Sequence, residues 1–221
     1  MKKLLICLLP IFLVGCQSNI IETTVKLSEI KDAINGGVQD IEFETNFSLI
    51  AELDSATKIE LEKIESISSK YIDIEDFDVT DDDYLGISID VDGKIPLLYS
   101  SNEIIPSSIS APWVLLISDN NNKGVLSYFK YKLEFIASPT FNAFAGEVGN
   151  VNVLIGLNEF QPVKFKLKNK DDSIFNIFTG AVEGNSESYA AFESNIGDKI
   201  SLTMKGGIYD KTNQVIFFNI D

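Results

Sequence analysis

The amino-acid sequence predicts a strand-rich α+β fold, built from antiparallel sheets and about three short helices. Over most of the chain, apolar and polar residues alternate with the period of two that half-buried strands show. Windows with helical spacing are few and short. Clusters of Gly, Asn and Asp separate the alternating runs, as the turns of antiparallel sheets do.

The strand predictions follow from these alternating runs. They cover residues 41–47, 71–79, 85–91, 113–117, 125–136, 151–157, 163–168, 174–182, 200–204 and 215–220. The run 113–117 is continuously apolar, which indicates a central strand buried on both faces. Asp92-Gly93 predicts a turn after the third run, and residues 119–124 predict a loop before the fifth.

Three windows predict helices: residues 27–34, 55–69 and 139–148. Ser28 is a candidate N-cap of the first helix, and Gly36-Gly37 would end it. In the second window, apolar residues three apart form a stripe. Ser138-Pro139 has the N-cap and first-turn chemistry of a third helix.

Composition excludes several classes of protein. The 221 residues are 45% hydrophobic and 23% charged, which is typical of a globular chain and excludes wholesale disorder. The 33 acidic residues outnumber the 18 basic ones, for a net charge of −15, and every basic residue is Lys. Without His or Arg, imidazole catalysis, His-ligated metals and Arg–guanine contacts are excluded. The acidic balance also argues against nucleic acid as a partner.

The first sixteen residues have the pattern of an export signal. Lys2-Lys3 is followed by an apolar run that is too short to span a bilayer and fits a signal peptide. The stretch Leu13-Val14-Gly15-Cys16 resembles the lipobox of bacterial lipoproteins. This resemblance implies acylation of the Cys16 thiol, cleavage before Cys16 and attachment to the lipid bilayer. Gln17 is not the Asp that favours inner-membrane retention in such lipoproteins, so the resemblance implies the outer membrane, with the domain facing the periplasm or the cell surface.

The predicted domain organisation starts from this signal. Residues 1–15 are the signal peptide, 16–24 the lipidated end and a short tether, and 25–221 one globular domain. Removing residues 1–15 would take away Lys2, Lys3 and no acid, which lowers the net charge from −15 to −17. Cys7 would leave with the signal, so no disulfide is expected. Most of the acidity lies in residues 25–118, whereas 119–221 is nearly neutral, which suggests two subregions.

Three short motifs together resemble the serine β-lactamases and penicillin-binding proteins. They are Ser55-Ala56-Thr57-Lys58, Ser118-Asp119-Asn120 and Lys211-Thr212-Asn213. The resemblance implies Ser55 as a nucleophile, Lys58 as its base, and supporting roles for Ser118 and Asn120. The third motif lacks the glycine of its K-T-G counterpart, and strings like the first occur by chance in a chain this rich in Ser and Lys. A serine or carboxylate hydrolase acting on cell-wall material is therefore the alternative hypothesis, not the first.

An acidic cluster is the second candidate for chemistry. Its members are Asp73, Glu75, Asp76, Asp78, Asp81, Asp82 and Asp83, followed by Asp90 and Asp92. Oxygen ligands of this kind suit Ca²⁺, but an EF-hand loop centred on Gly93 would begin at Ser88 and end at Tyr99, which are not its ligands. We therefore interpret the cluster as a solvated acidic face, with divalent binding and paired-carboxylate catalysis as alternatives, and assign no metal or cofactor.

Lysines recur with strand spacing in the second half of the chain. Lys164, Lys166, Lys168 and Lys170 alternate with Phe165 and Leu167, and Lys130 and Lys132 flank Tyr131. The period predicts lysines on one face and apolar side chains on the other. The face is interpreted as the wet side of a sheet, or as a surface for lipid phosphates or acidic neighbours. Trp113 and the phenylalanines at 141, 144, 160, 175 and 178 are interpreted as core.

The sequence therefore predicts a membrane-anchored envelope lipoprotein that binds rather than catalyses. The Thr23–Ser28 opening after the lipobox is similar to that of small lipoproteins of unknown function from enterobacteria and their phages, so a phage or prophage origin is one hypothesis. The partner would be an unidentified envelope protein or surface component. A passive structural protein of the envelope is a further alternative.

Overall fold

A computed structural model of the chain describes residues 21–49, 52–82, 86–152, 157, 163–169, 174–184, 187–194, 199–204 and 215–220. The helices in this part of the chain are α1 (Leu27–Ile34), α2 (Ser55–Tyr71) and α3 (Phe141–Val151). A 3₁₀ turn spans Gly124–Tyr128. The strands are β1 (Ile21–Lys26), β2 (Gln39–Leu49), β3 (Asp73–Asp82), β4 (Gly86–Tyr99), β5 (Trp113–Asp119), β6 (Tyr131–Ala137), β7 (Val163–Lys168), β8 (Phe175–Gly184), β9 (Glu187–Ser194), β10 (Lys199–Met204) and β11 (Val215–Ile220).

All eleven strands belong to one curled sheet. Their order is β10-β7-β1-β2-β4-β5-β6-β11-β8-β9, and β3 lies beside β4 off this path. One further pairing, Thr203 with Glu183, joins β10 to β8 and brings the far strands of the path together. The sheet therefore has an inner face, which α1, α2 and α3 help to fill, and an outer face.

The sheet is mixed, so the prediction of antiparallel sheets is only partly right. β1 pairs with β7 in parallel, and β4 pairs with β5 in parallel. Parallel neighbours need a crossover of about a dozen residues, and residues 100–112 provide it between β4 and β5. Alternation along a strand shows which face is buried but carries no information on the direction of the neighbouring strand, so the sequence pattern could not reveal these pairs.

Several strand predictions are confirmed, and two are corrected. Residues 163–168 and 215–220 form β7 and β11 with the predicted bounds. The long strand 125–136 is wrong in its first half, because Gly124–Tyr128 is a 3₁₀ turn and β6 begins at Tyr131. The Asn120 side chain donates to the carbonyls of Leu126 and Phe129, which holds this segment as a loop. Residue Val151 ends α3, so it does not open a strand, and residues 153–156 lie outside the described part.

The predicted turn at Asp92-Gly93 is absent, because β4 continues through it to Tyr99. Gly93 serves a different purpose here. A Cβ at this position would lie 2.5 Å from the carbonyl oxygen of Asp73 and 3.0 Å from the Phe43 ring. Next to it, β3 has a register irregularity between Ile74 and Asp76. Gly93 therefore allows an unusually close approach of two strands, which is one of the established uses of glycine within a strand.

The three helices form where the sequence predicts them, but the N-caps of the first and third differ from the candidates. Lys26 caps α1, because its backbone N–H donates to the Glu29 carboxylate at 2.7 Å, so the candidate cap Ser28 lies inside the helix. Asp54 caps α2 by accepting from the Thr57 N–H at 2.8 Å. The third helix begins at Phe141, after the N-cap residue Thr140, and not at Pro139. The Ser138 hydroxyl accepts from the Thr140 N–H and donates to the Ala111 carbonyl, so it joins the start of this helix to the segment before β5.

Two elements fall outside the sequence-based element predictions. Strand β9 was not predicted, and residues 21–24, assigned to the tether, form most of β1. β1 is buried on alternate residues and pairs with both β2 and β7. The part of the predicted tether that the structure describes is therefore part of the sheet.

The main core lies between the inner face of the sheet and the helices, and it includes side chains from both halves of the chain. A smaller cluster on the outer face joins Leu98, Val114 and Leu116, and Ile105 and Ile109 from the crossover cover it. Burial of β5 on both faces confirms its prediction as a central strand. Among the described residues, no helix is both long and apolar enough to cross a membrane.

Candidate functional site

A cavity lies on the inner face of the sheet beneath α2 and α3, and we refer to it as the helix-covered cavity. It is lined by Ile21, Phe43, Thr45, Ile64, Ser68, Ile72, Phe77, Ile89, Val91, Trp113, Phe144, Val148 and Leu157. Its volume is about 40 Å³, and it is partly open to solvent. Because one water needs about 10–15 Å³ measured in this way, the cavity has room for a few waters or for the end of an alkyl chain.

The lining follows from the periodicity of each element. Phe43 and Thr45 on β2 are two residues apart, as are Ile89 and Val91 on β4, so each pair faces inward. On α2, Ile64 and Ser68 are four residues apart and share one helix face. The same alternation that builds the core therefore also builds the cavity.

Trp113, at the start of β5, is the centre of an aromatic cluster beside the cavity. Its ring stacks on Phe135 with centroids 6.4 Å apart. It also meets two rings of α3, Phe141 at 5.4 Å and Phe144 at 5.8 Å, in tilted and edge-on contacts. Such contacts add to the stabilisation from burial and fix the orientation of the indole.

Two side chains of the lining contain a buried polar atom that lacks a hydrogen-bond partner. The two atoms are the Thr45 hydroxyl oxygen Oγ1 and the Trp113 ring nitrogen Nε1, both inaccessible to solvent. Among the described side chains, the one other buried polar atom of this kind is the Ser118 hydroxyl. Buried polar groups in native proteins are almost always hydrogen-bonded, since leaving one unpaired costs about 1–3 kcal/mol. Each of these two unpaired groups therefore lowers the stability of the folded chain.

The two covering helices are tied together beside the cavity by Glu147 of α3. The Tyr71 hydroxyl donates to Oε1 of Glu147 at 2.7 Å, and Nζ of Lys70 lies 2.9 Å from its Oε2. The hydrogen bond from Tyr71, and then the charge and hydrogen bond of Lys70, lower the pKa of Glu147. The Tyr71 ring also packs edge-on against Phe144. These contacts hold α2 and α3 as one cover.

The serine motifs do not form a shared site within the described residues. Ser55 and Lys58 are exposed in the first turn of α2, whereas Ser118 is fully buried in β5. Asp119 accepts a hydrogen bond from the Tyr99 hydroxyl, and Asn120 holds the loop described above. Residues 211–213 lie outside the described part of the chain. Of the motif residues that the structure describes, Ser55 and Lys58 are exposed, Ser118 is buried, and Asp119 and Asn120 form hydrogen bonds with their neighbours.

Four members of the acidic cluster, Asp76, Asp78, Asp90 and Asp92, form opposite pairs on the outer face of the sheet. There, Glu22, Glu44, Asp92 and Asp76 stand directly opposite one another on β1, β2, β4 and β3, and we call them the carboxylate row. Partial burial, and then the charges of Asp76 and Asp90, raise the pKa of Asp92. In the described residues, no group of three acidic or Cys side chains is arranged to hold a metal ion. Asp83, and the side chain of Asp82, are not described.

The lysines of β7 have the predicted alternation, with Phe165 and Leu167 buried between them. Glu22 forms ion pairs with both Lys164 and Lys166. Lys132 on β6 pairs with Glu103 and Glu134, and Tyr131 beside it is buried. These pairs fit the interpretation of a sheet's wet face. Lys170 lies outside the described residues.

The prediction that Trp113 and the phenylalanines belong to the core is confirmed for Trp113, Phe141 and Phe144, which are buried. Phe178 is half-buried outside the described core clusters, and its ring packs against Phe129 and Phe217. Phe160, and the side chain of Phe175, are not described.

Sequence reasoning missed Thr45 and Ser68 as residues of a site. The signal was present in the pattern, because each stands where its element's period places apolar residues. Thr45 continues the inward series of Ile41 and Phe43, and Ser68 continues the stripe of Leu61 and Ile64. A hydroxyl on an otherwise apolar face places a polar group in the core, where burying it without a hydrogen-bond partner is costly.

The lipobox residues 13–16, with the candidate lipid attachment site Cys16, lie outside the described part of the chain, so acylation stays a prediction. Comparison of the chain with models of protein families, with curated proteins and with solved structures gives no match.

Proposed function

We propose that this chain is a lipid-anchored envelope protein that acts by binding, and that the helix-covered cavity is its binding site. One observation supports the choice of this site: among the described residues, those that line the cavity have no ionisable side chain. The site can bury an apolar group, and the lining residues that the structure describes offer no acid, base or charged nucleophile. An apolar lining with a few polar atoms is the usual character of a small-molecule site.

The proposed location follows from the N-terminal pattern. Acylation at Cys16 would attach the protein to the bilayer, and Gln17 favours delivery to the outer membrane with the domain in the periplasm. The ligand is then an apolar component of the envelope, and the acidic outer face argues against nucleic acid. The similarity of the opening segment to phage-associated lipoproteins supports a phage or prophage origin as a second hypothesis about its source.

The anchor is tested by Cys16→Ser. We expect the variant to appear in the soluble fraction and to take up no labelled fatty acid, whereas the native protein stays with the membranes and is labelled. Cys7→Ser is the matched control, because Cys7 lies in the segment that cleavage would remove. Membrane association of the Cys16 variant without an acyl label would contradict the proposal.

Binding in the cavity is tested through the only tryptophan of the chain, since Trp113 belongs to the lining. Bromohexane carries a heavy atom that quenches a tryptophan on contact, so we expect saturable quenching in the native protein. Ser68→Leu places a large side chain in the cavity and should abolish saturation. Ser66→Leu makes the same change on the exposed side of α2 and should leave it intact. No saturable quenching in the native protein, or equal quenching in the Ser68 variant, would refute a binding site here.

A further experiment distinguishes the proposed binding function from serine catalysis. A fluorescent penicillin that acylates serine hydrolases should label neither the native protein nor Ser55→Ala. Labelling of the native protein that the substitution removes would favour the hydrolase instead.

A further inference from the structure

We propose that the outer face of β7 docks on anionic headgroups of the bilayer in which Cys16 is anchored. Three lysines of this strand, Lys164, Lys166 and Lys168, form the docking surface, and we call them the lysine strip. The proposal rests on the lipid anchor proposed above and specifies which side of the domain faces the membrane. It is independent of the helix-covered cavity.

The short segment between the anchor and the sheet limits how far the domain can lie from the bilayer. β1 begins at Ile21, which is five residues after Cys16. Five residues span at most about 18 Å, whatever their conformation. The part of the sheet around Ile21 therefore stays near the lipid headgroups.

The lysine strip lies in this part of the sheet. β7 runs beside β1 in parallel, and Val163 at its start stands opposite Ile21. Phe165 and Leu167 are buried in the core, whereas the lysines that alternate with them are half-buried on the other face. The strip therefore begins one residue from the end of the sheet that the anchor holds.

The lysine strip has an excess of positive charge. β1 contains one acidic residue, Glu22, which pairs with Lys164 at 2.6 Å and also with Lys166. One carboxylate against three ammonium groups leaves two positive charges. On the other side of β7, strand β10 contains no acid and has Lys199 opposite Lys168.

The neighbouring sector of the outer face has the opposite charge. Beyond β1, strand β2 has the exposed acids Asp40, Glu42 and Glu44, and the carboxylate row continues to β4 and β3. Anionic headgroups attract the lysine strip and repel this acidic sector. The Debye length is about 10 Å at 0.1 M salt, so a sector that turns away from the membrane contributes little repulsion.

The anchor also explains why the partner is a lipid surface. An acidic protein offers similar charges, but the acylated Cys16 would keep the bilayer beside the strip at a high effective concentration. Lysine is a point charge on a flexible stem, which suits phosphates that have no fixed arrangement. A basic surface next to an acyl anchor is a second membrane-binding signal of the kind that stabilises attachment.

Fluorescence quenching at single labelled sites measures which face meets the membrane. Cys7 would leave with the signal peptide and the Cys16 thiol would be acylated, so an introduced cysteine is the one free thiol of the mature protein. Ser201→Cys places the label opposite Lys166, and Thr80→Cys places it on β3 in the acidic sector. The acylated protein is inserted into phosphatidylcholine vesicles with or without phosphatidylglycerol. The quencher is a nitroxide on the lipid headgroup.

We expect the label at Ser201→Cys to be quenched more strongly than the label at Thr80→Cys when phosphatidylglycerol is present. The difference should shrink in pure phosphatidylcholine, and also in 1 M salt, where the Debye length is about 3 Å. Counted along the strand pairings, Thr80 lies on the anchored side of Ile21 and Ser201 on the far side. The short segment alone therefore does not produce the expected order.

Charge variants assign the contact to the lysine strip. Replacing its three lysines with Gln should abolish the excess quenching at Ser201→Cys that phosphatidylglycerol produces. The matched control replaces three exposed lysines outside the strip and should leave the excess intact; these are Lys58, Lys63 and Lys123. Glu22→Gln removes the carboxylate that neutralises part of the strip and should increase the excess. This single change decides the matter if the triple variant does not fold.

The outcomes separate the anchor from the docking surface. If the acylated protein does not stay with the vesicles, the proposed lipid anchor itself fails. If it stays but both labels are quenched equally, or phosphatidylglycerol and salt change nothing, the docking surface fails alone. An excess that is unchanged in both charge variants, or that the control variant also loses, would overturn the role of the lysine strip.

Discussion

The carboxylate row on the outer face shows how single residues affect the stability of this sheet. Glu44 stands opposite Asp92 on the neighbouring strand, and Asp76 stands opposite Asp92 on the other side. Like charges directly opposite each other on adjacent strands are destabilising. The raised pKa of Asp92 expresses this repulsion together with the partial burial of the carboxyl group.

Asp92 makes the stability of the protein depend on pH. Because the pKa of Asp92 is raised on folding, the native state holds this proton more tightly than the unfolded chain does. As the pH rises from the ordinary value of 3.8 through the raised native pKa, the free energy of unfolding falls. The loss is complete once the pH is well above the raised native pKa of Asp92.

Asp92→Asn should therefore make the protein more stable at neutral pH, by about 0.5 kcal/mol at low salt, as for a cross-strand charge pair screened by solvent. The advantage should vanish well below pH 3.8, where Asp92 is protonated in the native and in the unfolded state. Urea unfolding at several pH values measures it. Asp32→Asn, an exposed change on α1 outside the row, is the control. A neutral-pH stability equal to that of the native protein would contradict this account.

At the scale of elements, the cover of the cavity depends on how α2 and α3 are joined. Tyr71 and Lys70 close the end of α2 onto Glu147 of α3, and Phe144 beneath them lines the cavity. Both helices contribute to the lining, α2 through Ile64 and Ser68 and α3 through Phe144 and Val148. The side chains that join the helices therefore also determine the shape of the candidate site.

Glu147→Gln should weaken the contacts of α3 with Tyr71 and Lys70 of α2. The native pKa of Glu147 is lowered, so its interactions stabilise the protein above the ordinary pKa of 4.5, and that stabilisation is lost as the pH falls through the lowered native value. The variant should therefore melt at a lower temperature than the native protein at pH 7, and the gap should close in acid. Glu62→Gln on the exposed face of α2 serves as the matched control. Equal melting temperatures at pH 7 would show that the joint contributes nothing.

At the scale of the whole molecule, the sheet unites the two subregions that charge composition suggested. The strand β1 belongs to the acidic half and pairs in parallel with β7 of the other half, and Glu22 forms ion pairs with two lysines there. The core includes Phe43 and Trp113 together with Phe165 and Phe218. The uneven charge thus corresponds to neighbouring sectors of one sheet.

Unfolding should accordingly be a single cooperative transition. We expect Trp113 fluorescence and far-ultraviolet circular dichroism to give the same urea midpoint, since one core connects the probe to strands of both halves. Two resolved transitions, or a fluorescence change that precedes the loss of secondary structure, would indicate independent subregions instead.

Much of the fold could be predicted because the spacing of apolar residues along the chain shows which side chains are buried. The strands β7 and β11 and the positions of α1 and α2 follow from it. The misassigned segments have specific causes. Gly93 resembles a turn residue but is required for the close approach of β3, and Asn120 converts part of a strand-like run into a loop. Both causes are contacts between segments, which no local pattern contains.

The sequence by itself determined the charge balance, the absence of His and Arg, the alternation of the strands and the lipobox-like N-terminus. The tertiary structure decided which strands are parallel neighbours, which carboxylates face one another, and that Thr45 and Trp113 belong to one apolar cavity. The physical reason is the distance along the chain over which each kind of interaction acts. Burial periodicity is set by residues a few positions apart, whereas pairing direction and cavity lining depend on segments distant in the chain that meet only when the sheet curls.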